Sequence, residues 1–325
     1  ASRGLGDVYK RQVYKINGMY YITCPAGGTE GWQVCLRSKN IYGPYEHKVI
    51  MQDDSSYPPN GLHQGGMVQL KNGDWWFIIM QDRGAIGRVP YLVPVTWKDG
   101  WPMLGVDGKD AITYKKPEVG KTYKIQSPAT TDEFSAKRLG LQWQWNHNPD
   151  NSLWSVSERK GYLRLKTGRI DTDFLSARNT LTQRTIGPVC SGTTSMDVSD
   201  MKEGDFAGLA LLQKKYGLVG VKYENGVKKI VMVSAQTDKP EEVESLPLNQ
   251  NTVFLKAECD FTDKKDIADF YYSLDGKKWT KIGSQLKMAY TLPHFMGYRF
   301  GLFNYATKAP GGYVDFDYFR ISDSK

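Results

Sequence analysis

The chain lacks long apolar runs and has few cysteines. No apolar segment approaches the roughly 18 residues that a membrane-spanning helix needs, and no signal-peptide pattern is visible. The four cysteines show neither CxxC nor Cys/His metal spacing; they are Cys24, Cys35, Cys190 and Cys259. We interpret them as buried free thiols, with a Cys24–Cys35 disulfide as the alternative. The sequence therefore predicts no membrane partner, and it leaves the cellular compartment open.

Positive charge is in surplus but is not concentrated anywhere. The formal charge is +8, from 43 Lys and Arg against 35 Asp and Glu. The basic residues are scattered among acidic ones, whereas nucleic-acid-binding proteins gather them into a patch or stripe. We therefore expect no nucleic-acid partner.

Length and aromatic content point to a β-rich protein with room for two domains. The chain has 325 residues, and domains typically take about 100–200 residues each. Its 20 Tyr and 9 Trp suit β-strands. Aromatic faces also suit sugar binding, since they stack on the C–H faces of pyranose rings.

The most informative stretch is Gly61–Trp101, which predicts a β-hairpin. A strand over Met67–Leu70 is followed by an Asn72-Gly73 turn, of the kind with positive φ at both central positions, and by a strand over Trp75–Met80. Trp75 and Trp76 are adjacent and point to opposite faces of this strand, so at most one can face a sugar while the other packs between sheets. Core packing is the default interpretation for both.

Unusual chemistry lies at the two ends of this hairpin. His63-Gln64-Gly65-Gly66 precedes the first strand, whereas Gln81-Asp82-Arg83-Gly84 and Gly87-Arg88 follow the second. Antiparallel strands return to the side that they left, so these ends should meet at one edge. An imidazole, an amide and two guanidinium groups can then converge on one spot.

This order of features resembles the last propeller blade of glycoside hydrolase family 43, the β-xylosidase and α-L-arabinofuranosidase group. The resemblance rests on His-Gln-Gly-Gly, an aromatic hairpin, Gln-Asp-Arg-Gly, Gly-Arg, and a final Pro-Val-Thr-Trp…Asp-Gly-Trp-Pro. Upstream, VYKINGMYYITCPAGGTEGWQVCLRSKNIYGPYE resembles the third-blade segment. Downstream, LQWQWNHNPD, ARNTLTQR and GGYVDFDYFRI resemble a concanavalin A-like sandwich. The resemblance covers nearly all of residues 13–325.

The resemblance implies an all-β fold, a partial five-bladed β-propeller (its last blades) followed by a concanavalin A-like β-sandwich. Residues 1–12 do not resemble the family and are expected to be foreign to the fold, with a native divergent N-terminus as the alternative. We assign 13–105 to the propeller, 106–137 to a linker and 138–325 to the sandwich. Short alternating strands at hairpin spacing independently predict a sandwich or barrel after residue 140.

The resemblance also implies that the catalytic carboxylates are missing. The family's general acid would fall at about position 9, which is Tyr9, and its two other carboxylates would lie upstream of residue 1. Asp53 and Asp54 are adjacent and would point to opposite faces of a strand. Asp82 is followed by Arg83, which would lower its pKa. No catalytic residue is therefore assigned.

The chain is thus interpreted as the C-terminal portion of an inverting glycosidase. The whole enzyme would release terminal β-xylosyl or α-arabinofuranosyl units from xylan or arabinoxylan oligosaccharides, while this chain would be inactive. The alternative is a carbohydrate-binding or purely structural sandwich module.

The resemblance assigns supporting roles to several residues at the hairpin. His63 matches the histidine at the propeller centre that contacts a water or a cation; a structural histidine is the alternative. Arg88 matches the arginine that reaches sugar hydroxyls, with a surface ion pair as the alternative. For Arg83 a sugar contact and a surface ion pair are equally supported interpretations. The pocket rim is predicted to include Gln64, Gly28 and Thr29.

Further candidates lie in the predicted sandwich. Trp143, Trp145 and Trp154 are either a stacking platform for sugars or core residues. Asp315 and Asp317, on one strand face, are candidate oxygen ligands for Ca²⁺. No organic cofactor is expected, and Ca²⁺ is considered at the propeller centre, near His63, or here.

Overall fold

The computed structural model describes residues 10–111, 113–124, 127–128, 130–237, 239–291 and 294–323. The predicted acid position, Tyr9, lies outside them. Regular structure in this part of the chain is antiparallel β-strand, with short 3-10 helices at Gly84–Ile86, Asn151–Leu153, Phe174–Ser176 and Thr262–Lys264. This confirms the predicted all-β fold class.

The chain divides into two compact units. The first comprises Ala1–Arg83 and Arg88–Ile125, and the second comprises Gly84–Gly87 and Gln126–Lys325. Within the predicted linker, Asp132 forms a β-bridge with Phe319 of the second unit. The predicted boundaries at residues 12, 105 and 137 stay predictions.

The first unit contains two four-stranded antiparallel sheets, each in simple sequence order. The strands of the first sheet are β1 (Gln12–Ile16), β2 (Met19–Ala26), β3 (Trp32–Ser38) and β4 (Glu46–Met51). Those of the second are β5 (His63–Gln69), β6 (Trp75–Asp82), β7 (Arg88–Lys98) and β8 (Trp101–Leu104). Four-stranded meanders of this kind are the building unit of propeller blades.

Two Asn-Gly turns in this unit differ from one another. Asn17 and Gly18 both have positive φ, at 49° and 81°, and join β1 to β2 as a two-residue turn. At the predicted Asn72-Gly73 turn only Gly73 has positive φ, at 92°. The loop is longer because the Asn72 side chain accepts a hydrogen bond from Asp74 N, and Gly73 N donates to Leu70 O. The hairpin is confirmed, and its predicted turn type is wrong.

The two sheets of the first unit share one apolar core. Phe77, Val93 and Leu104 from the second sheet and Ile50 and Cys35 from the first are fully buried in it. The tryptophans are packing residues here. Trp75 lies edge-on to Trp97, with ring centroids 5.9 Å apart, and Trp76 is 7% exposed.

The second unit is a two-layer sandwich of seven-stranded sheets. One has the order β10-β11-β22-β13-β18-β19-β20 and the other β17-β16-β15-β14-β21-β12-β9. The bounds are β9 (Gln144–Trp145), β10 (Trp154–Ser155), β11 (Leu163–Lys166), β12 (Leu181–Arg184), β13 (Val189–Asp197), β14 (Asp205–Leu212), β15 (Gly217–Glu224), β16 (Val227–Ser234), β17 (Glu241–Pro247), β18 (Thr252–Asp260), β19 (Ile267–Ser273), β20 (Thr280–Lys287), β21 (Arg299–Ala306) and β22 (Tyr313–Ser322).

The sandwich core lies between these sheets. Alternate residues such as Leu209 and Leu211 of β14 face Leu255 of β18 and Phe316 of β22, all fully buried in one cluster. Alternation of this kind buries one face of each sheet and leaves the other for a second layer. Ala85 belongs to the same cluster, and its carbonyl accepts a hydrogen bond from Tyr298 N at 2.9 Å.

The four cysteines carry free thiols, as predicted. In the first unit, register places Cys35 opposite Thr23 and Cys24 opposite Val34, so the alternative Cys24–Cys35 bridge is not present. Burial raises the pKa of Cys35 to about 12, which makes this thiol a poor nucleophile.

Candidate functional site

The predicted convergence of polar groups occurs at one end of the β5–β6–β7 meander. His63 pairs with Met80 across β5 and β6, and Asp82 pairs with Arg88 across β6 and β7. Met80 and Asp82 are two residues apart, which corresponds to about 7 Å along a strand. The antiparallel register therefore places His63 and Arg88 at the same sheet edge.

His63 is held by its own backbone turn. The side chain is 6% exposed, and Nδ1 lies 2.9 Å from Gly61 O. Because a carbonyl can only accept, Nδ1 must donate. In the neutral ring Nε2 is then the acceptor nitrogen, and it has no hydrogen-bond partner among the described residues. This nitrogen can accept a hydrogen bond from a hydroxyl group or a water.

A glycine-rich loop lies directly against this histidine. Thr29 O accepts a hydrogen bond from Gly61 N at 3.1 Å. A Cβ added at Gly31 would lie 2.8 Å from His63 Cγ, and one added at Gly61 would lie 1.9 Å from Gly31 O. Only glycine permits this approach, so the loop that carries Gly28 and Thr29 is brought beside the imidazole. The assignment of these two residues to a pocket rim stays a prediction.

Gln64 is positioned through its backbone. It has φ of 62° at the register shift between His63 and Gly65, and its N–H donates to Gln33 Oε1 at 2.7 Å. Gln33 is fully buried, and its Nε2 has no partner among the described residues. The strand irregularity turns the Gln64 side chain away from regular alternation.

Gln81 was assigned no separate role in the sequence analysis, yet it connects most of the groups at this edge. It is fully buried; its Oε1 accepts from Ser56 Oγ at 2.9 Å, Tyr91 OH at 3.0 Å and Arg83 Nε at 3.1 Å. Its Nε2 donates to Asn60 O at 2.7 Å. An amide that directly follows the apolar run Trp75–Met80 in the same strand was the available signal, since buried amides are normally hydrogen-bonded.

Arg83 is fixed by this network rather than by a carboxylate. Besides Gln81, its Nη2 donates to Ser56 O at 3.2 Å. The guanidinium carbon lies 5.6 Å from the ring centroid of Tyr57 and 5.5 Å from that of Tyr91. These are cation–π distances, so the side chain is oriented from several sides.

Arg88 forms the ion pair of the site. Its Nε lies 3.1 Å from Asp82 Oδ1, with side-chain exposures of 28% for Arg88 and 5% for Asp82. The expectation that Arg83 would act on Asp82 is therefore wrong, because the cross-strand register puts Arg88 opposite the carboxylate. Asp82 anchors a guanidinium group that still reaches solvent.

The segment Asn60–His63 joins these parts into one assembly. Asn60 Nδ2 donates to Asp82 O at 2.7 Å, Asn60 O accepts from Gln81, and Gly61 N donates to Thr29 O. The glycine loop, the imidazole and the arginine end of the meander are thus linked by hydrogen bonds. The arrangement places one acceptor nitrogen and a partly exposed guanidinium group at one edge, where both can contact a polyhydroxylated ligand.

Asp53, in the same unit, caps a loop. Its Oδ1 accepts from Ser55 N at 2.8 Å and its Oδ2 from Asp110 N at 3.2 Å. Partial burial alone would raise its pKa, but the hydrogen bonds from Ser55 and Asp110 and the nearby Lys109 leave the pKa below its ordinary value. A carboxylate held in this way stays ionised and is a poor proton donor.

The metal candidates receive no support from the described residues. Within the described ranges, no three His, Cys, Asp or Glu side chains come together as a metal-binding group. His63 alone is too small a ligand set for Ca²⁺, which takes 6–8 oxygen ligands. We therefore derive no chemistry through a cation at this histidine.

The predicted Ca²⁺ site at Asp315 and Asp317 is also not supported. Asp315 accepts from Arg164 Nε and Nη2, both at 2.8 Å, and from Arg159 Nη1 at 3.1 Å. Register moves from Ser195–Tyr318 to Met196–Phe316, so Asp317 sits in a β-bulge. A bulge interrupts the alternation on which the shared face was predicted.

The three sandwich tryptophans separate into two groups. Trp143 is a core residue, 7% exposed, and its Nε1 donates to Asp132 Oδ2 at 2.8 Å. Trp145 and Trp154 are only partly buried against the core. The sequence alternatives, core or stacking platform, are therefore resolved for Trp143 alone.

Blade-like sheets followed by a two-layer sandwich are an architecture of carbohydrate-active proteins, and comparison with known proteins gives the family. A family model described as "Beta xylosidase C-terminal Concanavalin A-like domain" matches residues 131–322, and one described as "Glycosyl hydrolases family 43" matches residues 11–102. The chain belongs to glycoside hydrolase family 43.

Individual relatives agree with this assignment. A β-xylosidase of Formosa agariphila is 34% identical over 95% of this chain and 58% of its own length. A putative β-xylosidase of Xylanibacter ruminicola is 35% identical over 85% of this chain and 51% of its own. A solved structure titled bifunctional GH43-CE, from Bacteroides eggerthii, has 55% identity and a TM-score of 0.88, covering 97% of this chain and 41% of that one.

The chain spans about half the length of the curated relatives that it matches. Over the part of the sequence that the structure describes, no helix has the length and apolarity to cross a membrane.

Proposed function

We propose that the first unit supplies the sugar-positioning half of a family 43 glycosidase site for terminal sugars of xylan- or arabinoxylan-derived oligosaccharides. The observation that carries this proposal is the hydrogen-bonded assembly of His63, Arg88 and the Gly28-Thr29 loop around Asn60–His63. The family membership and the names of the relatives support the substrate class.

In this proposal Arg88 binds two sugar oxygens. Its guanidinium is planar, permanently charged and anchored through Nε by Asp82, so little side-chain freedom is lost on binding. His63 Nε2 accepts a hydrogen bond from a sugar hydroxyl or from a water in the pocket, while Nδ1 holds the ring through Gly61 O. Arg83, Gln64, Gly28 and Thr29 form the rim.

We further propose that the acid and base of the whole enzyme are not among the described residues of the first unit. Inverting hydrolysis needs two carboxyl groups roughly 6.5–9.5 Å apart, one protonated to donate to the leaving oxygen and one ionised to activate water. Asp82 is committed to Arg88, and Asp53 to backbone N–H groups. Asp53, whose pKa is lowered, is a poor proton donor, and the ion pair with Arg88 occupies the Asp82 carboxylate.

The whole enzyme would then act by a single displacement. The acid protonates the glycosidic oxygen as the C–O bond breaks, and the base takes a proton from the water that attacks the anomeric carbon from the opposite face. The residues of this chain would orient the terminal sugar for that attack.

Two assays test this proposal. Purified chain incubated with p-nitrophenyl β-xyloside and p-nitrophenyl α-arabinofuranoside should release no nitrophenol above a blank. Binding of xylobiose at this site, followed through the NMR signal of the His63 ring, should be detectable and should weaken by about tenfold in Arg88→Ala, since a hydrogen bond to a charged group contributes about 1.5–3 kcal/mol.

Arg320→Ala is the matched control. It removes an arginine whose exposed ion pair with Glu133 lies on the second unit, so xylobiose binding should be unchanged. Robust turnover by the wild-type chain would overturn the assignment of the carboxylates. Equal binding by wild type and Arg88→Ala would overturn the assignment of the arginine.

A further inference from the structure

The sandwich carries an open groove that the proposed glycosidase site does not use. Its walls include Trp145 in β9 and Trp154 in β10, which are the edge strands of the two opposing sheets. The two rings meet with centroids 5.1 Å apart and planes inclined by 51°. They form a concave aromatic corner at the seam between the sheets.

Volume distinguishes this groove from two smaller cavities of the sandwich. It measures about 520 Å³, whereas the other two measure about 210 and 150 Å³. Small-molecule sites typically span roughly 300–1,000 Å³. Of these three, only the Trp145–Trp154 groove is large enough for more than one sugar unit.

The aromatic corner is held in place before any ligand binds. Trp154 Nε1 donates to Asn151 Oδ1 at 3.0 Å, and Asn151 begins the 3-10 helix capped by Asp150. Trp145 pairs with Leu181 of β12 through the sheet. Both rings pack against the core from outside, so a ligand would not have to order them.

Hydrogen-bonding groups surround the rings. Lys137, Arg138 and Ser157 are exposed and line the groove, and the first two have no ion-pair partner among the described residues. Trp145 Nε1 likewise has no acceptor within the described ranges. An apolar floor with donors at its rim matches a ligand that has flat C–H faces and many hydroxyl groups.

We propose that this groove is a second, non-catalytic site that binds an oligosaccharide of two or three sugar units by stacking on Trp145 and Trp154. The amphipathic lining favours a sugar over a lipid chain, for which the charged rim would have no role. A structural role, in which the rings only close the seam between the sheets, makes a different prediction: it affects stability and leaves sugar binding untouched.

Calorimetric titration with xylotriose tests the proposal in the Arg88→Ala chain, in which the proposed site of the first unit is weakened. Binding should persist there and weaken by about tenfold or more on adding Trp145→Ala or Trp154→Ala, because each removes one stacking face. Trp279→Ala is the matched control, since it removes another partly buried sandwich tryptophan that does not line the groove.

A second experiment is made on the wild-type chain, so its result does not depend on how the alanine variants fold. In wild-type chain, the Trp145 indole N–H signal, assigned by its loss in Trp145→Phe, should shift on addition of xylotriose. The proposal is overturned if that signal does not move at saturating sugar, or if Trp145→Ala and Trp279→Ala bind equally. Loss of all binding in Arg88→Ala would also overturn it, while supporting the site in the first unit.

Discussion

The two units differ in how their buried polar groups are arranged. The first unit gathers His63, Gln81 and Asp82 at one sheet edge, where they contact backbone carbonyls, the side chains around Gln81, and Arg88. The second packs a continuous apolar layer between two seven-stranded sheets and also buries charged groups such as Asp205 and Asp315. Buried polar groups are costly unless paired, so their concentration at one edge of the first unit is consistent with the proposed site, whereas the apolar layer of the second mainly stabilises its fold.

The largest effect should come from the same cavity made in each core. Phe77 of the first unit and Phe316 of the second are both fully buried. Phe→Ala at either position should cost about 3–5 kcal/mol, because lost contacts and a residual cavity add up. Hydrogen exchange should accelerate in β5–β8 for Phe77→Ala and in β13, β18 and β22 for Phe316→Ala. Equal acceleration of all strands by either variant would contradict the separation of the cores.

The next effect sharpens the contrast within the sandwich itself. Asp315 is 3% exposed and binds Arg164 and Arg159, so Asp315→Asn removes the buried negative charge that the two guanidinium groups share and should cost about 3 kcal/mol. Asp197 and Glu158 remain as outer partners of the two arginines. Glu133→Gln breaks the exposed pair with Arg320 and should cost at most about 1 kcal/mol. Urea denaturation of both variants checks this. Similar losses would show that burial does not govern these ion pairs.

Two equivalent Asn-Gly turns, one in each unit, allow the same substitution to be compared, with a smaller expected loss of stability. Gly18 in the first unit and Gly226 in the second each follow an asparagine and have φ of 81° and 74°. A Cβ added at either position would have no other group within 4 Å. Gly→Ala at either site should therefore cost only the backbone strain, about 1 kcal/mol. A loss several times larger at one turn, measured by thermal unfolding, would mean that the turn contributes to more than its own hairpin.

The smallest expected effect is a change in how the free energy of unfolding depends on pH. Burial raises the pKa of Asp205 in the sandwich, against an opposing hydrogen bond from Lys202 N. Its contribution to stability is complete below the unfolded pKa of about 3.9 and is lost as pH rises through the higher folded pKa. Asp205→Asn should therefore gain stability relative to wild type as pH rises from about 4 towards 7.

Asp53 in the first unit should behave in the opposite way. Its folded pKa is lowered, so its contribution is present above about 3.9 and is lost as pH falls through the folded pKa. The Asp53→Asn variant should therefore become more stable relative to wild type only as the pH is lowered. The midpoints of urea unfolding between pH 3 and 7 give the stability difference between each variant and wild type as a function of pH. If this difference changed in the same direction for both variants, the assigned environments would be contradicted.

The hairpin and the edge that gathers His63 and Arg88 could be predicted because strand alternation and antiparallel register follow directly from the sequence pattern. The ion-pair partner of Asp82 could not be predicted, because it depends on which residue of the next strand lies opposite. The bulge at Asp317 also left no sequence signal, and one extra residue changed the predicted face.

Long-range pairing was equally hidden from the sequence. Ala85 N donates to Asp266 Oδ2 at 3.2 Å, across a separation of 181 residues, and Gly84–Gly87 groups with the second unit. Gln81 connects this edge through Ser56 and Asn60, which lie in the loop between β4 and β5, and through Tyr91, which lies in β7. Local pattern identifies such residues as unusual and cannot give their partners.

The most direct test of the central claim uses His63 as its own reporter. The chain contains four histidines, so the ring signals are few, and that of His63 is assigned by its loss in His63→Gln. On titration with xylobiose, the His63 signal should shift at similar sugar concentrations in wild type and in Trp145→Ala, and Arg88→Ala should need about tenfold more sugar for the same shift. A His63 signal that stays fixed at saturating sugar, or that shifts at the same sugar concentrations in Arg88→Ala, would contradict a sugar-positioning site built from these two residues.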